Sequence, residues 1–69
     1  MQTLSDIWQG LSPEGKRALA VRCGTSMDYL YQLSVGYRHA SPRMARIVHG
    51  ATGVPIRSLV RPELAELMS

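Results

Sequence analysis

The side chains that could carry catalysis or hold a metal are few in this chain and lie far apart along it. Its single cysteine, Cys23, and its two histidines, His39 and His49, match no zinc-binding spacing. No paired carboxylates, catalytic triad or phosphate-binding loop can be recognised either. We therefore expect no enzyme, no metal and no cofactor. Cys23 is expected to be a buried structural thiol, His39 to face solvent or a phosphate, and His49 to lie on the surface.

The basic residues are concentrated in the middle of the chain. All eight lie between Lys16 and Arg61, a span that contains one acid, Asp28, whereas the other four acids lie outside it. Most of these cations are arginines, whose planar guanidinium suits phosphates and guanine edges. The asymmetry indicates an anionic partner bound in one orientation, although charge alone leaves a solvated basic surface equally open. Arg46 and Arg57 are expected to be solvated.

The segment from Ala20 to Leu33 has the spacing of a helix-turn-helix. Ala20 precedes Gly24 by four positions, and Leu30 and Leu33 follow that glycine by six and nine. A small side chain lets two helices cross closely, and glycine adopts the left-handed conformation that a sharp turn needs. The leucines anchor the second helix to the core, so its other side is free to enter a DNA major groove.

Helical periodicity extends through almost the whole chain. Ser-Pro pairs predict two helix starts, glycines predict helix ends, and Thr25 or Ser26 is expected to cap the third helix. We expect one compact all-α domain over 1–69 with helices at about 3–10, 13–23, 26–35 and 42–52, a short fifth helix from Pro55 that Pro62 interrupts, and a final turn or two over 63–68. The predicted inward-facing side chains are Leu4, Ile7, Trp8, Leu11, Leu19, Ala20, Cys23, Leu30, Leu33, Met44, Ile47, Val48, Ala51, Ile56, Leu59 and Val60.

Most of the chain resembles a known family. The segment LSPEGKRALAVRCGTSMDYLYQLSVGYRHASPRMARIVHGATG and the tail LVRPEL resemble the phage repressor and Cro family, and within it the Cro- and YdaS-like proteins of prophages. The resemblance implies a lambda-repressor-like domain of five helices, with helices two and three as the helix-turn-helix. It also implies a protein that binds double-stranded operator DNA as a homodimer and usually represses promoters.

The resemblance assigns base reading to the third helix. Gln32 can pair with adenine N6 and N7, Met27 can contact a thymine methyl, and Ser26 can reach a base or a phosphate. Tyr31 can pack on sugar or hydrogen-bond a phosphate. The groove-facing positions implied in this way are Ser26, Met27, Asp28, Tyr31 and Gln32.

The residues around this helix are expected to bind phosphates. Lys16 falls where the family places a phosphate contact near the start of helix two, and the loop after helix three is another such stretch. The implied phosphate-binding residues are Lys16, Arg17, Thr25, Tyr37, Arg38, His39 and Arg43.

Asp28 departs from the usual pattern. The third helix contains no lysine or arginine, so the commonest guanine contact is missing from it. The carboxylate of Asp28 can accept a hydrogen bond from cytosine N4, or it can form a capping box with Thr25, which we favour because acids rarely read cytosine.

Two functions remain open at this level. The leading one is a sequence-specific DNA-binding regulator in the cytoplasm, at the nucleoid; the other is an antitoxin-like or other protein-interaction helical module. No membrane span or signal peptide is expected. The C-terminal Leu64, Leu67 and Met68 are expected either to fold back onto the first helix or to contact a second subunit, and we favour the dimer.

Overall fold

Helices account for all the regular structure between residues 3 and 68, the part of the chain that this computed structural model describes. There are five α-helices and one 3₁₀ turn in this range, without a strand. In chain order they are α1 (Leu4–Gly10), α2 (Pro13–Cys23), α3 (Met27–Val35), α4 (Pro42–Thr52), the 3₁₀ turn (Ile56–Ser58) and α5 (Pro62–Met68). The predicted all-α class is therefore confirmed for the described residues.

Hydroxyl side chains begin the first four helices. Ser12 caps α2 by accepting from the Gly15 amide at 3.1 Å, and Ser41 caps α4 by accepting from the Met44 amide at 3.2 Å. Both caps stand directly before a proline, as predicted. Each satisfies an amide that the helix leaves without an internal partner, and such a cap contributes about 1 kcal/mol.

A tight turn joins α2 to α3 at Gly24. The backbone of this glycine has φ 68° and ψ 33°, which lies in the left-handed region. Its amide donates to the carbonyls of Ala20 and Val21. The Thr25 amide also donates to the Ala20 carbonyl, at 2.9 Å. The last carbonyls of α2 are thereby satisfied, and three residues separate α2 from α3.

The core lies where the helices meet. α1 packs against α3, α2 packs against both α3 and α4, and the 3₁₀ turn packs against α4 and α5. Leu30, Ala45 and Val48 are completely buried. The other buried apolar side chains are Leu4, Trp8, Ala20, Cys23, Leu33, Ala40, Val54, Leu59 and Val60.

Two local expectations about the fold are wrong. The segment after Pro55 forms only the 3₁₀ turn, and Pro62 begins α5 instead of interrupting a helix, since its missing amide costs nothing in a first turn. Ile47, expected in the core, is 38% exposed. Ala40, in the loop before α4, is buried and donates its amide to the Leu59 carbonyl at 2.7 Å.

Candidate nucleic-acid interface

One side of α3 faces the core and the other faces solvent. Leu30 and Leu33 are buried, whereas Tyr31 is 49% exposed and Asp28 is also exposed. Met27 lies half-buried against the core. The remaining predicted base readers, Ser26 and Gln32, are exposed and half-buried respectively. Four of the five predicted positions therefore lie on α3 and Ser26 caps it, but Met27 and Gln32 each present only part of their side chains to solvent.

Ser26 is the N-cap of α3. Its hydroxyl oxygen accepts from the Tyr29 amide at 3.1 Å. A hydroxyl carries a second lone pair and a proton, so this cap leaves one donor available to a base or a phosphate. Ser26 thus begins the helix and can still make one polar contact with a ligand.

The expected capping box between Thr25 and Asp28 is wrong. Because Ser26 is the cap, the third helical position is Tyr29, which has no carboxylate to reach back to the cap amide. Asp28 lies in the first turn of α3 with its carboxylate exposed. A negative charge there favours the helix through its dipole, typically by about 0.3–1 kcal/mol. The described residues do contain a capping box, between Thr3 and Asp6 at the start of α1.

Lys16 is held against the first helix. Its Nζ lies 5.4 Å from the centre of the ring of Trp8, whose side chain is only 5% exposed. An ammonium over an indole face is attracted by the ring quadrupole, and the indole limits where the lysine can reach. The sequence predicted Lys16 as a phosphate contact but did not predict this support, because the two residues lie on different helices.

Arg38 brings a guanidinium to α3. Its Cζ lies 5.4 Å from the centre of the Tyr29 ring, and Tyr29 itself packs partly against the core. The third helix has no cation of its own, so this contact supplies a positive charge beside it from the following loop. No spacing rule links residues on a helix and in the loop after it in this way, so sequence analysis missed the pair.

The other predicted phosphate-binding residues lie mainly on the surface. Tyr37 is 81% exposed, and its amide donates to the Gln32 carbonyl at the end of α3 at 3.0 Å. Arg17, His39 and Arg43 are exposed, whereas Thr25 is half-buried. Their side chains therefore have access to a ligand, apart from that of Thr25, which lies in the turn.

The chain matches no model of a known protein family, no curated protein and no solved structure. Any functional assignment must therefore be argued from its own residues. Within residues 3–68, no helix is long and apolar enough to cross a membrane.

Cys23 and His49 are accounted for by the fold. The Cys23 thiol is buried, as predicted, and this burial raises its pKa, with the nearby charge of Arg22 opposing the effect. A thiol held in its neutral form is a poor nucleophile. His49 is exposed, as predicted, and its Nδ1 lies 2.8 Å from the Val54 carbonyl. The part of the chain that the structure describes contains no cluster of three or more His, Cys, Asp or Glu residues that could hold a metal.

Proposed function

We propose that this protein is a sequence-specific DNA-binding transcriptional regulator, a phage Cro-like repressor of the lambda-repressor-like fold. The observation that carries the proposal is the unit formed by α2, the left-handed Gly24 and α3. Its two helices bury Ala20, Cys23, Leu30 and Leu33, and α3 exposes a polar and aromatic face. A helix supported in this way is suited to enter a major groove.

The proposed division of labour separates base reading from phosphate binding. Gln32, Ser26 and Tyr31 contact base edges or the adjacent backbone from α3, and Met27 contributes apolar contact. Lys16 and the residues after α3 bind phosphates. Asp28 would accept from a cytosine amino group. The contact between Arg38 and Tyr29 supports this division, because it provides a cation beside a helix that has none.

The regulator is proposed to act as a homodimer on a two-fold symmetric operator. A single small module makes few phosphate contacts, and doubling them lengthens the site and raises affinity. Leu67 at the C-terminal end is 82% exposed and is available for this contact. Leu64 packs partly against the core of its own subunit, and the side chain of Met68 lies outside the described residues. The place of action would be the cytoplasm, at the nucleoid.

The experiment that tests DNA binding is a titration against the DNA upstream of the protein's own coding sequence, at two salt concentrations. Binding should survive excess competitor DNA and weaken steeply with salt, because counterions are released from the phosphates. Trp8 is the one tryptophan of the chain and lies under the Lys16 ammonium. Its fluorescence should therefore change on binding, and this change should disappear in Lys16→Ala. Affinity no higher than for random DNA would exclude the proposal.

The exposed apolar side chains on and after α3 favour a second candidate. Tyr31, Val35 and Tyr37 are 49%, 43% and 81% exposed, and such side chains are typical of a protein-binding surface. The protein would then be an antitoxin-like or other interaction module. A stoichiometric protein partner that protects these three residues from solvent, together with no operator footprint, would select this function.

A further inference from the structure

A second surface of the molecule is separate from the proposed DNA face. An open groove of about 400 Å³ lies between α1, α2 and α4. Its walls are mainly apolar, with Ile7 and Leu11 from α1 and its C-cap, Ala18 and Leu19 from α2, and Ala51 from α4, and Thr52 also lines it. None of the proposed DNA-contacting residues lines it. The small side chains on α2 and α4 leave room for a large apolar side chain.

The charged side chain that lines the groove is basic. Arg22 lines it and is exposed, so the guanidinium is accessible at its edge. α4 also carries Arg46 and no acid. An occupant that combines an apolar side chain with nearby carboxylates would therefore complement this surface.

α5 has this combination of side chains. Leu67 is 82% exposed, and Glu63, one helical turn before it, is exposed on the same side. The helix contains no lysine or arginine. Leu64 and Ala65 pack against the core of their own subunit, and Leu67 does not line the groove of its own chain. The matching occupant is therefore α5 of another molecule.

We propose that the groove receives α5 of a second copy of this chain. Leu67 of one protomer inserts beside Leu11 and Ala18 of its partner, and the Glu63 carboxylate pairs with the Arg22 guanidinium. The exchange is reciprocal, so it closes a two-fold dimer with two identical contacts. This inference rests on the dimer in the proposed function and is independent of DNA binding.

The test is the dimerisation constant, measured by sedimentation over a range of protein concentrations without DNA. Leu67→Glu and Ala18→Glu each place a carboxylate in the groove and should raise the dissociation constant by about tenfold or more. Val21→Ser is the matched control, because it removes a strongly exposed apolar side chain that neither lines the groove nor belongs to the proposed DNA face, and it should leave the dissociation constant unchanged. Circular dichroism establishes that each variant is folded.

Two further arms examine the pairing itself. Arg22→Glu and Glu63→Arg should each weaken the dimer, and their combination should restore it. A mixture of Leu67→Glu with Ala18→Glu should associate more strongly than either variant alone, because only the mixed dimer retains one intact contact. If Leu67→Glu or Ala18→Glu fails to fold, the charge exchange between Arg22 and Glu63 tests the same contact, because it leaves the apolar packing unchanged.

The outcomes separate the inference from the proposals on which it rests. If the protein dimerises and none of these substitutions changes the dissociation constant, the proposed contact between α5 and the groove is excluded, whereas the proposed dimer is not. A wild-type chain that stays monomeric at every concentration would overturn both. Operator half-site binding by Leu67→Glu is measured separately, and its loss in a folded variant would point to a different role for α5.

Discussion

Two cations of the proposed DNA face are supported by aromatic rings. Lys16 lies over Trp8 and Arg38 over Tyr29, each at 5.4 Å from the ring centre. A long cationic side chain loses conformational entropy when it binds a phosphate, and a ring that already restricts it lowers that cost. At the scale of single residues, the rings of Trp8 and Tyr29 therefore position charge, while the side chains of α3 provide hydrogen-bonding groups and apolar contact.

Gln32→Ala should reduce discrimination at one base pair of each half-site by about 1–3 kcal/mol, because a bidentate contact with adenine is lost. The measurement is a competition between the operator and operators changed at single positions. Ser34→Ala is the control, since its hydroxyl bonds to the Tyr31 carbonyl within the same helix. An equal loss of affinity for all sequences would show that Gln32 does not read a base.

Arg38→Ala should weaken binding to all sequences alike and lower the slope of log affinity against log salt by about one phosphate contact. Arg57→Ala removes the same charge from an exposed position outside the proposed face and should leave this slope unchanged. Tyr29→Leu should reproduce part of the Arg38 effect, whereas Tyr29→Phe keeps the ring and should not. If Tyr29→Leu lowers affinity equally in the Arg38→Ala background, the ring does not act through Arg38.

At the scale of elements, the turn at Gly24 positions α3 relative to α2. A Cβ at this residue would meet no atom within 4 Å, so the cost of a side chain there comes from the left-handed backbone alone. Gly24→Ala should lower the free energy of unfolding by about 1–2 kcal/mol. Gly50→Ala is the matched control: its Cβ also has open space, but it lies inside α4, where alanine should stabilise by about 0.5–1 kcal/mol. Thermal unfolding of both variants measures the difference, and equal stabilities would exclude a conformational role for Gly24.

The elements of the fold that the sequence predicts are those whose signals are local. Two helix starts, at Ser12 and Ser41, and one helix end, at Gly24, were predicted. Each depends on hydrogen bonds between residues within four positions of each other. Ala40, by contrast, is buried in a loop where its amide donates to the carbonyl of Leu59, a residue remote in sequence, so no local signal predicts its burial. The role of Pro62 was predicted wrongly because a proline can end one helix and also suits the first turn of the next.

The candidate site was predictable to a similar extent. The exposure of Asp28 and Tyr31 follows from the helical positions of Leu30 and Leu33. The choice between Thr25 and Ser26 as the cap decided the role of Asp28, and two adjacent hydroxyl residues gave no local basis for that choice. The ring contacts of Lys16 and Arg38 join separate elements, so only the folded chain brings them together.

At the scale of the whole molecule, the proposed dimer determines which operators can be bound. The described fold measures about 35 by 22 by 20 Å. The proposal places the α3 helices of two such copies in successive major grooves, which lie roughly 34 Å apart on one face of the DNA. An operator with half-sites separated by about 10 base pairs should bind best.

Inserting about five base pairs between the half-sites turns them to opposite faces of the DNA, so only one subunit can remain bound. Affinity should then fall to that of a single half-site, and fluorescence anisotropy with labelled operators measures the change. Leu67→Glu is the control, because a monomeric variant should bind both operators equally. If the wild-type protein is also indifferent to the spacing, its two α3 helices do not act together on the operator.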